Sequence, residues 1–281
     1  VIAGGGEKAG TVTIVGVALG ASLSCAPFER TGRWGERREV VRCESERAVV
    51  DFDPEGLDPA ECQAFTRLAN QGVADLERLL FKDSGPRDPV RFVVSAKIDM
   101  SRTFGRTVLL PLRRVKWQEA PYLHETVHAL LPSPHHSTWL TEGLACYLES
   151  WVAEHVGGYD AHIFTRAGDG RIYDEARGYL KSEIGQQVLP WVGVPGEPPN
   201  LFEDRMGVAR PFYVLAHSFT KYLVEKLGLA AVVSLAGGRD PEDALARLTG
   251  RDAVVWRAEW LATGGPARPA SGPPPTDKPA L

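Results

Sequence analysis

The tightest constraint in this sequence is His124-Glu125-Thr126-Val127-His128, followed by a second periodic run that begins eleven residues after His128, Trp139-Leu140-Thr141-Glu142-Gly143-Leu144-Ala145-Cys146-Tyr147-Leu148-Glu149. Inside a helix, the i, i+4 spacing sets both imidazoles on one face, a turn apart, so two ring nitrogens can bind a single Zn²⁺. Glu125 projects to the side. From there its carboxylate can reach a water at the metal without being a ligand, which is the geometry a general base needs. Glu142 supplies a third ligand if the second helix folds back on the first. The connecting residues 132–138 are few enough to force such a hairpin, with Ser137 or Thr138 as its cap, and Gly143 lets a neighbouring backbone approach closely. Two histidines and one glutamate leave a fourth position for water, the pattern of a catalytic zinc and not of a closed structural one.

Other parts of the sequence set the context. A chain of 281 residues with 43% hydrophobic side chains can bury a real core, and its formal net charge of -4 lacks the basic excess of a general nucleic-acid binder, so no nucleic-acid partner is expected. Residues 11–24 form an uncharged run between Lys8 and Cys25. That run is too short to span a bilayer of about 30 Å, and we read residues 1–24 as a cleavable export signal, placing the protein in the cell envelope or outside the cell. Leu23-Ser24-Cys25 resembles a bacterial lipoprotein cleavage site, which would make Cys25 a lipid anchor; ordinary secretory cleavage nearby is the alternative. In an oxidising compartment Cys43 and Cys62 could close a loop of about 20 residues. Otherwise Cys43, Cys62 and Cys146 are small buried thiols.

Along the chain, Arg30 to Arg47 reads as a solvated segment or as a first strand with a charged face. Asp58-Pro59 opens a helix carrying Phe65, Leu68, Ala69, Val73, Leu76 and Leu79 on a helical period, broken by Ser84-Gly85-Pro86. Residues 90–95 and 106–110 read as strands, with Pro111 marking the second as an edge or terminating strand. From Trp117 the pattern turns helical, over roughly 118–131, 138–155, 211–227, 229–236, 241–249 and 252–262. Residues 157–200 read as a long excursion with short elements. The Pro- and Gly-rich stretch 263–281 has the composition of a disordered tail. The expected fold class is therefore α+β: a sheet lobe with one long helix over 25–115, then a mainly helical lobe over 116–262.

The His124–His128 pattern joined to Glu142 resembles the gluzincins, zinc peptidases that pair H-E-x-x-H with a glutamate on a second helix; the likeness is close over about 119–155. The run Trp139-Leu140-x-Glu142-Gly143-x-Ala145-x-Tyr147 is similar to the glutamate helix of aminopeptidase N-like enzymes and of small bacterial peptidase MA-like domains. Phe212 to Leu223 resembles the aromatic helix that follows the site in the MA-like group. The resemblance implies a zincin-like fold, Zn²⁺ held by His124, His128 and Glu142, Glu125 as base, and a peptide or protein substrate lying along an edge strand, for which 106–110 is the candidate. Tyr213 or His217, one turn further along, would face the developing oxyanion. Three departures qualify the likeness, the first being that thirteen residues separate His128 from Glu142, fewer than aminopeptidase N-like enzymes use. No Gly-x-Met-x-Asn segment for gripping a substrate amino terminus is present, which favours endopeptidase over exopeptidase action. Cys146 stands where thermolysin-like enzymes carry an orienting Asp, leaving the histidines' second partner unassigned. Two other readings use the same centre: a zinc-bearing envelope protein that binds peptides without turnover, and a zinc hydrolase of a cell-wall amide.

Overall fold

The structure, a computed structural model, describes residues 23–31, 37–54, 56–81, 87–134, 136–154, 168–202 and 207–263. Nearly all of the expected export signal and of the Pro-rich tail lies outside these residues. The fold is α+β, with the strands in the first part of the chain and helices after them. Strands β1 (Ser24–Thr31), β2 (Arg37–Glu44) and β3 (Ala48–Phe52) form an antiparallel meander. Helix α1 (Pro59–Leu80) then returns the chain to β4 (Val90–Ser95), parallel to β3. Strands β5 (Arg102–Phe104) and β6 (Thr107–Pro111) complete a six-stranded sheet of order β1-β2-β3-β4-β6-β5.

Helix α1 begins where Asp58-Pro59 predicts. The Asp58 carboxylate accepts from the Glu61 backbone N–H (2.8 Å), the Glu61 carboxylate accepts from that of Asp58 (2.9 Å), and Pro59 occupies a first-turn position with no N–H to satisfy. Its apolar stripe lies on the sheet. Phe65 meets the rings of Phe52, Phe92 and Tyr122 edge-on at 6.1, 6.1 and 5.8 Å, and that joins α1 to the sheet and to helix α3 (Tyr122–Leu130). Gly72 makes the contact close: a Cβ there would lie 2.5 Å from a Leu123 methyl carbon. Asp51 sits buried in β3, where Arg42 of β2 and Arg91 of β4 donate to it. Burial pushes its carboxyl up, but the two guanidiniums outweigh burial and hold it below the usual range.

Two expectations about the first lobe change. The strand at Thr107–Pro111 does end at its proline, yet it is not an edge, because β4 pairs with one side and β5 with the other. The edge is the three-residue β5, too short to leave a periodic signal. The bridge joins Cys43 to Cys25 and not to Cys62. Register decides this: the β1–β2 ladder sets Cys25 directly opposite Cys43, while Cys62 faces inward from α1 as a free thiol that burial pushes up to about 11. One sulfur cannot hold both a disulfide and a lipid, so this pairing takes the atom that an anchor at Cys25 would need.

Beyond the sheet come α2 (Leu112–Lys116), α3, α4 (Thr138–Ala153), α5 (Gly168–Leu180), α6 (Glu183–Val188), α7 (Ala209–Leu227), α8 (Leu229–Ala236), α9 (Pro241–Thr249) and α10 (Ala253–Thr263). Helix α3 starts later than its period suggests because Pro121 lacks a backbone N–H and restricts Ala120. Helix α5 occupies part of the expected excursion. Ile172 and Ala176 lie buried on one face of it, a period obscured in the sequence by Gly168, Gly170 and Gly178. Ser137 stands at the N-cap of α4, but its hydroxyl donates to Glu242 of α9 (2.8 Å) and caps no helix N–H. The Trp139 indole donates to the other oxygen of the same carboxylate (2.7 Å), which ties the start of α4 to α9.

Helices α4 and α7 form the core of the second lobe, and Gly143 sets their spacing. A Cβ at Gly143 would lie 2.6 Å from the Ala216 carbonyl oxygen and closer still to the Thr220 hydroxyl. Alanine is the better helix former by about 1 kcal/mol, yet overpacking costs about 1–3 kcal/mol and outweighs it. Gly143→Ala is therefore expected to destabilise, read as a fall in the midpoint of thermal unfolding; an unchanged or raised midpoint would show that α7 can slide away.

Candidate metal centre

Helix α3 is pressed between α1 and α4, and its inward face carries His124 and His128 one turn apart. Across the hairpin, α4 presents Glu142. The His124 Nε2 lies 3.0 Å from a Glu142 carboxylate oxygen and 3.1 Å from the His128 Nε2, and the His128 Nε2 lies 3.5 Å from the same oxygen. Three donors bound to one ion at about 2.0–2.1 Å in tetrahedral geometry sit about 3.3 Å from one another. The triangle therefore fits Zn²⁺ in size and in donor chemistry. Its open side gives onto a cavity of about 970 Å³, which these three side chains help to line. A closed structural site has no such opening.

The electrostatics follow from burial and proximity. Burial alone pushes the Glu142 carboxyl up, but the facing imidazoles of His128 and His124 win and hold it well below the usual carboxylate range. Burial likewise pushes His124 down, while Cys146, Glu142 and Glu149 together raise it well above 6.5. In the metal-free chain His124 thus holds its proton more tightly than a free imidazole, against any cation competing for its Nε2.

The missing orienting partner is Glu149. Its carboxylate lies 3.5 Å from the His124 Nδ1, with the Cys146 sulfur at 3.7 Å on the same side of the ring. A carboxylate at Nδ1 favours the tautomer that leaves Nε2 free for metal. Cys146 is fully buried, and burial pushes its thiol up to about 11. Glu149 sits two turns beyond Glu142 on one face of α4, a spacing that offers it either to the groups behind the donors or to a neighbouring arginine, and the structure sets it against His124.

Glu125 lies beside the triangle and is not part of it. The Thr103 hydroxyl, on edge strand β5, donates to its carboxylate (2.6 Å) and lies 3.0 Å from its carbonyl oxygen. Thr103 escapes a reading by periodicity, because a three-residue strand carries none. Tyr213 of α7 lines the cavity with its ring edge-on to His124, centroids 5.9 Å apart, and its hydroxyl bonds to Glu142. Burial, then the nearby Glu142, Cys146 and Glu125, push that hydroxyl well above 10 and keep it a donor. His217, one turn on, is fully buried with its ring against Tyr147 at 6.1 Å and does not line the cavity. Of the two candidates for an oxyanion donor, the structure brings only Tyr213 to the cleft.

Fold and centre together define an α+β protein whose helix hairpin carries a His–His–Glu cluster that could hold a metal ion, open to a cleft. No protein-family model and no curated protein matches the sequence. Among solved structures, the M1 zinc metallopeptidase of Deinococcus radiodurans is similar, with 16% identity and a TM-score of 0.45 over 90% of this chain and 53% of that one. A mutant of that enzyme bound to a Tyr-Ser-Ala substrate gives a TM-score of 0.47 at the same identity and coverage. This chain spans about half the length of those structures.

Proposed function

We propose that this protein is an exported zinc metallopeptidase that cleaves within polypeptide chains. The observation that carries the reading is the convergence of two imidazole nitrogens and one carboxylate oxygen within 3.0–3.5 Å at an open cleft, with the non-ligand Glu125 beside them. His124, His128 and Glu142 would hold a Zn²⁺ whose Lewis acidity would polarise the scissile carbonyl and acidify the attacking water. An extended substrate adds to the free edge of β5, using main-chain hydrogen bonds that need no particular side chain. Glu125 takes the proton of the attacking water and returns it to the leaving amine. Tyr213 donates to the oxyanion that develops on the scissile carbonyl.

The absence of a Gly-x-Met-x-Asn grip for a substrate amino terminus supports internal cleavage. Export is supported by the uncharged run 11–24 and by the Cys25–Cys43 bridge, since such bonds persist in oxidising compartments. Peptide mapping without reduction is expected to recover a Cys25–Cys43 linked pair with no lipid on Cys25, and a lipid-bearing Cys25 peptide would refute this.

The test of the activity is incubation of the zinc-loaded chain with casein and with a broad peptide library. Internal cleavage that a chelator stops and added zinc restores is expected. One tightly held zinc with no cleavage of either would overturn the peptidase reading in favour of a binding protein. Within the mechanism, Thr103 holds the carboxylate of the base. Thr103→Val is expected to lower kcat about tenfold with KM and zinc content unchanged, the scale of one lost hydrogen bond to a charged group, and Thr103→Ser to restore it. Equal loss in both variants would mean that Thr103 acts through packing.

A further inference from the structure

The cavity is lined by two guanidiniums, Arg102 and Arg114, besides the metal triad and its base. The half-buried arginines elsewhere in the sheet lobe are committed to partners. Arg42 and Arg91 donate to Asp51, Arg47 and Arg106 face Glu77, and Arg87 lies over the Phe81 ring. Arg113, adjacent to Arg114, donates to the Asp99 carbonyl (3.4 Å). Arg114 is half-buried at the cavity, and among the described residues its guanidinium makes neither an ion pair nor a hydrogen bond. Arg102 has only a 3.9 Å approach to Asp99, with both side chains largely exposed, a pairing that water screens and a ligand displaces easily.

The charge of the cleft points the same way. Its described lining holds two carboxylates, Glu125 and Glu142, the first engaged by Thr103 and the second by the imidazoles. With a divalent cation on the triad, those two charges are neutralised and the two guanidiniums remain. The described lining is then cationic in a chain whose net charge is -4. Phe104 and Phe202 also line it, 62% and 49% exposed, and offer apolar surface to a bound peptide.

We infer that Arg114, assisted by Arg102, forms a subsite for a substrate carboxylate, so that the cleft selects peptides carrying a negative charge near the cleaved bond. The inference rests on the peptidase reading and deepens it. A planar guanidinium suits a carboxylate through two parallel hydrogen bonds, which discriminate against the isosteric amide by losing both the charge and one acceptor. That carboxylate is either a chain terminus or an acidic side chain, and the test separates them.

Two peptide pairs with a central Phe are compared: one ending in a free carboxylate or in an amide, the other blocked at both ends with Glu or Gln at an interior position. Each is measured as kcat/KM on the zinc-loaded parent and as Kd on zinc-loaded Glu125→Gln. In at least one pair the carboxylate member is expected to be favoured about 10- to 100-fold. The pair that responds identifies the source. Arg114→Gln brings the ratio to within about twofold of unity, Arg114→Lys keeps part of it, and raising the salt weakens it in the parent, a control that depends on no variant folding. Equal treatment of both members of both pairs by the parent overturns the inference, as does discrimination that survives Arg114→Gln at full zinc content. If no peptide is cut while Glu125→Gln still discriminates in Kd, the carboxylate subsite stands and the peptidase reading falls.

Discussion

Glu125→Gln is expected to reduce the rate of casein cleavage by about 10³-fold or more, within the range a positioned acid–base group contributes, while zinc content and thermal midpoint stay at the parent values. The separation follows from geometry. Glu125 is not among the converging donors, so neutralising it leaves the triad intact. Glutamine preserves its volume and still accepts from Thr103, so the local packing is kept. What is lost is the only carboxylate lining the cavity, among the described residues, that does not belong to the triad. Among the described residues, no other carboxylate outside the triad lines the cavity to take over proton transfer. A variant that cuts casein at the parent rate would sink the assigned mechanism whatever the metal content.

Loss of the metal is expected to have the second large effect, on stability as well as on rate. The purified chain should hold one zinc, and His128→Ala, with two donors left, should retain little at micromolar metal. Because the cation binds the folded chain and not the unfolded one, its removal costs about 4 kcal/mol when free zinc exceeds its dissociation constant a thousandfold. The thermal midpoint should then fall on chelation and rise again with added zinc. Full zinc occupancy in His128→Ala would show that the triad is not the site.

The pH dependence reverses with the metal. In the metal-free chain Glu142 sits below its ordinary value, so its contribution is present above about 4.5 and is lost as pH falls through the depressed folded value. His124 sits above its ordinary value; its contribution is complete below 6.5 and is lost as pH rises through the raised folded one. The metal-free chain should be firmest in mild acid. Zinc requires unprotonated imidazoles, so its affinity should fall on acidification, beginning above 6.5 because His124 holds its proton more tightly than a free histidine. Zinc titrations at three pH values, with thermal unfolding of both forms, read out both trends.

The unevenness of what the sequence reveals has a physical pattern. Helices α1, α4, α7, α8 and α9 fall close to their expected places because each combines a 3.6-residue apolar stripe with a local stop or start, such as Asp58-Pro59 before α1 or Gly250 after α9. Helix α5 was hidden because three glycines dilute its stripe. The start of α3 was misplaced because a proline overrides periodicity. Ser137 has a capping residue's chemistry and position, but a charged acceptor on α9, more than a hundred residues away in sequence, competes for its hydroxyl and wins.

Taken alone, the sequence determined the α+β order, the hairpin of α3 and α4, and which three side chains, His124, His128 and Glu142, converge there. Those depend on spacing within a helix and on a loop too short to allow any other arrangement. Only the tertiary structure decided which strand is the edge, which cysteine meets Cys43, that Thr103 grips Glu125, that Tyr213 and not His217 reaches the cleft, and that Arg114 has no partner there among the described residues. Each of these is set by strand register or by the approach of distant segments, and no local period in a chain encodes which distant atoms will meet.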